Sequence, residues 1–201
     1  MSLIKLNDRA VKDVTQFGSI SSLGSLVHIS TATASSSASI EFTSGIDSTY
    51  KEYVFYFVNI HPSTDGAYFE FQFSTDSGST YATTITSTSF NSAHNESDSV
   101  AALQYVTADD LAQSTSFQRF SATVGADNDQ STSGTMQIFN PSSTTFVKHF
   151  IANLDVYNPN NYSASVFTAG YANTTSAIDA IKFQMSSGNI DAGQILLFGV
   201  N

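Results

Sequence analysis

Cysteine and tryptophan are absent from the 201 residues, and proline occurs only three times. Without thiols there is no disulfide scaffold, no thiol nucleophile and no thiolate zinc or iron–sulfur site. Basic residues are scarce as well: seven Lys and Arg face seventeen Asp and Glu, a formal net charge of -10. That balance repels phosphate backbones and anionic membrane surfaces, so no nucleic acid is expected as a partner. Long apolar runs are also missing. The longest, 53–58 and 195–200, fall far short of the roughly 20 residues that span a bilayer as a helix. Residues 1–20 hold no secretory apolar core, and synthesis in the cytoplasm without a signal peptide or membrane insertion is expected.

What the chain does have is hydroxyls and phenyl rings. Ser and Thr supply 55 residues, Phe 16 and Tyr 9. Ser and Thr compete locally with helical hydrogen bonds, whereas Thr, Tyr and Phe suit a half-buried pleated surface. An all-β protein follows. Lys5, Arg9 and Lys12 against Asp8 and Asp13 make the opening segment slightly basic, while the remainder is strongly acidic. A loosely periodic apolar set, Leu3, Ile4, Leu6, Val11, Val14 and Phe17, precedes a Ser-Gly run ending at Gly24. Residues 1–24 are therefore expected to form a docking arm and residues 25–201 a single β-sandwich domain.

Within that domain, Phe69, Phe71 and Phe73 alternate with Tyr68, Glu70 and Gln72, which predicts a strand with rings on one face and polar groups on the other. The nearly continuous apolar run 50–60 predicts a central strand that stops at His61-Pro62, with Asp65-Gly66 turning the chain into a hairpin or near neighbour over 67–73. Further strands are expected at 26–32, 38–43, 80–89, 101–106, 116–124, 134–139, 145–156, 163–172, 178–185 and 194–200. Breakers such as Asn158-Pro159-Asn160 and Ser187-Gly188-Asn189 separate them. Many short strands at even spacing predict an antiparallel sandwich of jelly-roll type. A turn or two of helix is expected at most, over 108–113 or within 7–16.

Catalytic signatures are weak. No G-x-S-x-G elbow occurs among the serines, and His28, His61, His94 and His149 are scattered without metal-ligand spacing. His149 is expected to sit mid-strand in a packing or surface role, and His94-Asn95-Glu96 in a hydrogen-bonded loop. Most acids, including Asp47, Asp65, Asp76 and Asp191, fall in turn contexts, which is their ordinary use. Two carboxylates flanking a cleft would be needed for glycoside hydrolysis. No enzymatic activity and no cofactor is expected. Asp127-Asn128-Asp129 clusters hard oxygen ligands in a loop but lacks the Gly and Glu of an EF-hand, since Thr132 and Ile138 stand there. The segment Tyr157-Asn158-Pro159-Asn160-Asn161-Tyr162 offers two readings. Tyr157, Asn158, Asn160 and Tyr162 have the chemistry to stack on and hydrogen-bond a sugar, and two tyrosines around an Asn-Pro turn are equally the ends of two strands.

Several stretches carry a resemblance: Ile4-Lys5-Leu6-Asn7, Phe42-Thr43-Ser44-Gly45-Ile46-Asp47 running on to Asn59-Ile60-His61-Pro62, Phe139-Asn140-Pro141-Ser142-Ser143-Thr144-Thr145-Phe146, and Met185-Ser186-Ser187-Gly188-Asn189-Ile190-Asp191-Ala192-Gly193. With them the chain resembles a family of structural virion proteins of marine bacteriophages, tail-fibre-like or capsid-associated. The resemblance implies a virion component with a β-rich body and leaves open which part of the particle carries it, and family analogy adds self-association as a homotrimer. Together with the distinct arm it leads to the expectation of a particle-surface location with other virion proteins as partners of the arm, with or without host-surface adhesion, while a host-surface glycan is the alternative that the loop aromatics offer. The resemblance carries no catalytic residue.

Overall fold

A computed structural model describes residues 25–201. The expected docking arm, with Leu3, Ile4, Leu6, Val11, Val14 and Phe17, lies outside the described residues, as does the 7–16 helix. Period-two patterning produces strands throughout: β1 (Leu26–Thr33), β2 (Ile40–Phe42), β3 (Glu52–Pro62), β4 (Ala67–Ser74), β5 (Ile85–Asn95), β6 (Ala101–Tyr105), β7 (Gln118–Val124), β8 (Thr132–Phe139), β9 (Lys148–Tyr157), β10 (Tyr162–Ala172), β11 (Ala180–Met185) and β12 (Ile190–Val200). The pattern is cleanest in β9, where Phe150, Ala152, Leu154 and Val156 are buried while His149, Ile151, Asn153 and Asp155 face outward.

The strands form two antiparallel sheets. The large one runs β1-β12-β3-β8-β9-β10-β5-β6 and the small one β2-β11-β4-β7. Their apolar faces meet as a β-sandwich. Phe183 on β11 sits between the layers, with ring centroids 5.2 Å and 5.3 Å from Phe55 and Phe57 of β3 and 5.8 Å from Phe69 of β4. Phe42 and Phe120 stand 6.2 Å away. Edge-to-face geometry dominates this cluster, as the ring quadrupole favours.

Polar groups also enter the interior. Lys148 is fully buried at the start of β9, and its ammonium donates to the carbonyls of Phe146 (2.9 Å) and Thr174 (3.0 Å). Burial pushes its pKa down. The side chain thereby ties the β8–β9 connection to the β10–β11 connection. His149 faces outward beside Tyr171, in the surface role expected of it.

Some local expectations need correction. The runs 50–60 and 67–73 do not pair as a hairpin: β3 lies inside the large sheet between β12 and β8, and β4 inside the small one between β11 and β7. The Asp65-Gly66 turn carries the chain across the sandwich, and the two strands meet ring to ring through Phe57 and Phe69 at 5.3 Å. The polar face of β4 is not open, since Gln72 is fully buried and its amide donates to the carbonyls of Thr115 and Ser116. Residues 108–113 form a turn and bends instead of a helix, ending at Gln113 with φ 51°. Their backbone is drawn onto β5 instead, where Leu111 N donates to Ser87 Oγ and Ser87 N to Leu111 O. The strand expected at 80–89 begins only at Ile85, because Asp76 captures the hydroxyl and backbone N–H of Thr80.

The unequal sheets have a consequence for exposure. Four strands cannot cover eight, so the β5–β6 end of the large sheet overhangs, and every residue of β6 is exposed.

Candidate functional site

The β9–β10 hairpin brings the sequence-selected tyrosines together with a second segment. Tyr157 ends β9 and Tyr162 opens β10, so the strand-end reading of the Asn-Pro turn holds. Asn158 builds the turn: its Oδ1 accepts from Asn160 N (2.8 Å) and Tyr162 N (3.3 Å), and its carbonyl accepts from Asn161 N (3.1 Å). Asn161 takes φ 59°, a left-handed position that Asn tolerates. Asn160 is exposed at the tip.

Because β10 pairs with β5 with Ser163 opposite His94, the β5–β6 turn lies directly beside this hairpin. A surface groove of about 370 Å³ opens between them, lined by His94, Asn95 and Glu96 on one side and Asp155, Tyr157, Asn161 and Tyr162 on the other. The Tyr157 hydroxyl donates to Glu96 Oε1 (3.1 Å) and lies 3.2 Å from Asn161 Oδ1. The Glu96 hydrogen bond, local burial and the negative charges of Glu96, Asp129 and Asp127 push the Tyr157 pKa up, so the phenol stays protonated. Asn95 is committed to its own turn, accepting from Ser99 N and Val100 N, and His94 Nε2 stands 3.1 Å from Asp98. The groove therefore presents aromatic edges with a ring of acceptors, a chemistry suited to hydroxyl-rich ligands.

Of the four selected residues, Tyr157 and Tyr162 line the groove, whereas Asn158 and Asn160 shape and tip the turn. Sequence reasoning kept His94 and Glu96 apart from the tyrosines, some 60 positions away. Only the β5–β10 register joins them, and residues 91–95, polar apart from Ala93, carry no apolar alternation from which to read it.

A second polar cleft, about 420 Å³, lies where the 106–117 connection folds against β4 and β7, and it holds Glu70, Asp109 and Arg119. Arg119 Nη1 stands 3.6 Å from the buried Asp109 carboxylate, with its guanidinium over the Tyr68 ring at 4.2 Å. Burial pushes the Asp109 pKa up, against the pull of Arg119. Glu70 accepts from Gln184 Nε2 at 2.8 Å. Among the described residues, Asp109 Oδ1 is buried without a hydrogen-bond partner, so only the ion pair with Arg119 offsets its burial.

Asp127 and Asp129 stand exposed on the β7–β8 connection, which closes through Gln130 N to Asp127 O (2.8 Å) and Asp127 N to Gln130 Oε1 (3.0 Å). Among the described residues, no group of three or more His, Asp or Glu side chains is placed to hold a metal ion. Asp47 takes the turn role expected of it, its Oδ1 accepting from Thr49 N, whereas Asp65 Oδ1 accepts from Ala126 N and so ties the β3–β4 connection to the β7–β8 connection.

Comparison with known proteins finds no matching family model, no matching curated protein and no matching solved structure.

Proposed function

We propose that this chain is a non-enzymatic structural protein of a bacteriophage particle, exposed on the surface as a capsid decoration or tail-fibre component. Residues 1–24 anchor it to neighbouring virion proteins, and the acidic body faces solvent. The observation that supports this reading most is the weave of the strands. The chain alternates between layers from β1 to β4, and again from β7 to β8 and β11 to β12, setting β1-β12-β3-β8 against β2-β11-β4-β7. We read that order as a jelly roll whose larger sheet is extended by β9, β10, β5 and β6. Jelly rolls build viral capsid and lectin domains, and the step from architecture to role is one of analogy.

The anchor has a direct test. Deleting residues 1–24 is expected to abolish incorporation into particles while the body keeps its β-type circular dichroism and cooperative melting. Normal incorporation of the truncated chain would refute the anchor.

The β9–β10 groove supports a second reading, a carbohydrate-binding module that contacts host-surface glycans and contributes to attachment. On a glycan array, Tyr157→Ala and Tyr162→Ala are expected to lose whatever signal the full chain gives. Binding that survives both changes would place recognition elsewhere.

A further inference from the structure

Among the described residues, four strand edges border the two sheets, and three of them carry features that discourage pairing with another chain. β1 is interrupted by a register shift between His28 and Ser30. β2 is three residues long. β7 carries Arg119, and its ladder with β4 shifts register between Tyr68 and Glu70. β6 has none of these. Its sequence, Ala-Ala-Leu-Gln-Tyr, holds no charge and no proline, and its ladder with β5 runs without a shift. The uncharged stretch extends from Ser99 to Ala108, so the five strand residues themselves bring no like charges opposite one another, while Asp98 precedes the stretch and Asp110, beyond it, accepts from the Tyr105 hydroxyl.

Hydrogen bonding to β5 decides which backbone groups of β6 are left over. Asn95 N donates to Val100 O and Val106 N donates to Ser89 O. The even-numbered residues therefore face β5, and antiparallel alternation turns the N–H and C=O of Ala101, Leu103 and Tyr105 outward. The side chains of these three lie on the outer face of the large sheet, opposite His94, Ser92 and Phe90. Leu103 is 77% exposed, Tyr105 53% and Phe90 42%. An apolar edge exposed on both faces is a strong template for strand addition.

We propose that β6 pairs antiparallel with the β6 strand of a second copy, across a twofold axis at Leu103, joining the two large sheets into one. In this register Leu103 meets its own symmetry mate and Ala101 meets Tyr105, so every outward backbone group of the three residues is bonded. Registers centred on Ala102 or Gln104 leave one of the three unpaired. One five-residue edge buries less than the roughly 1,200 Å² of a standard interface, so the pair is weak and reversible, with a Kd of about micromolar or above. Many copies on one particle strengthen it by multiplicity. The contact does not involve residues 1–24, so the truncation that tests the anchor leaves it intact.

Sedimentation equilibrium of the full chain, carried to high concentration, is expected to show the mass rising from 21.5 kDa towards twice that value. Leu103→Lys is expected to weaken the dimer at least about tenfold by placing two ammonium groups face to face. Leu103→Pro removes only an N–H that points away from β5, and it should do the same at unchanged Tm. Because the chain has no thiol, an equimolar mixture of Ala102→Cys and Gln104→Cys chains reports the register. With the axis at Leu103 these two positions face each other as a non-hydrogen-bonded pair, about 4.5 Å apart at Cα and with the closer side-chain approach that a disulfide needs. Mild oxidation of the mixture should give a covalent dimer, and Phe146→Cys, a 69% exposed control, should give none. A monomer at every concentration, a trimer, or a dimer indifferent to Leu103→Lys would each overturn the proposal.

Discussion

Replacing Phe183 by Ala tests whether the two sheets meet where the rings place them. The side chain is fully buried, and its ring contacts phenylalanines of β2, β4 and β7 in its own sheet and of β3 in the other. Truncation removes the transfer free energy of a benzyl group and leaves a cavity walled by other rings, which rotate little to fill it. Phe→Ala changes in such cores cost about 3–5 kcal/mol. For a domain of this size each kcal/mol lowers Tm by about 2–4 °C, so a drop of roughly 6–20 °C is expected. Phe146 provides the control with the same chemistry, because it is 69% exposed on the β8–β9 connection. Phe146→Ala should stay within about 0.5 kcal/mol of wild type. Paired thermal melts of the two variants decide the matter. A Phe183→Ala melt within a degree or two of wild type, or one matched by Phe146→Ala, would refute the placement of the interlayer core.

Three further outcomes follow from two polar groups, Lys148 and Asp76. Lys148→Ala orphans the Phe146 and Thr174 carbonyls and should cost about 2–4 kcal/mol in urea unfolding. Because burial lowers the folded-state pKa of Lys148, the unfolded chain holds that proton more tightly. Its charged form therefore costs stability below the folded pKa, and that cost should fade as pH rises from there towards 10.5, in wild type but not in Lys148→Met. Asp76 is held down to about 2 by the Ser74 hydroxyl and by the hydroxyl and backbone N–H of Thr80. Its contribution is complete above the ordinary value of 3.8 and lost as pH falls from there to about 2. A carboxyl carbon titration by NMR with its midpoint near 3.8 would contradict that geometry.

Most strands were readable because their apolar residues alternate with period two, as Phe69, Phe71 and Phe73 do, and because Asn-Pro and Ser-Gly pairs punctuate them. Three kinds of feature were not. Pairing partners depend on non-local contacts, so the apolar runs of β3 and β4 looked like a hairpin although they belong to different layers. Strand ends built from polar residues carry no alternation, so the extension of β5 through Asn91 to Asn95 passed as loop. The start of β12 was hidden behind a turn signal: Gly193 adopts φ 115°, and a Cβ there would come within 2.5 Å of Asn59 O, a close approach that bends the strand through two register shifts. The candidate groove suffered from the first of these limits. Tyr157 and Tyr162 were visible as a pair flanking a turn, but their proximity to Glu96 is a product of sheet register, which one sequence read locally does not contain.

The order of the strands also governs when the molecule can fold. β12 fills the slot between β1 and β3, and β11 the slot between β2 and β4. Until residues 180–200 are synthesised, each sheet is therefore missing an interior member, and the ring of Phe183 is absent from between them. A nascent chain emerging at about 5–20 residues per second thus spends seconds with unpaired strands on both sides of two gaps. Closure must be a late, largely all-or-none event dominated by distant contacts, slow in the manner of other sandwiches.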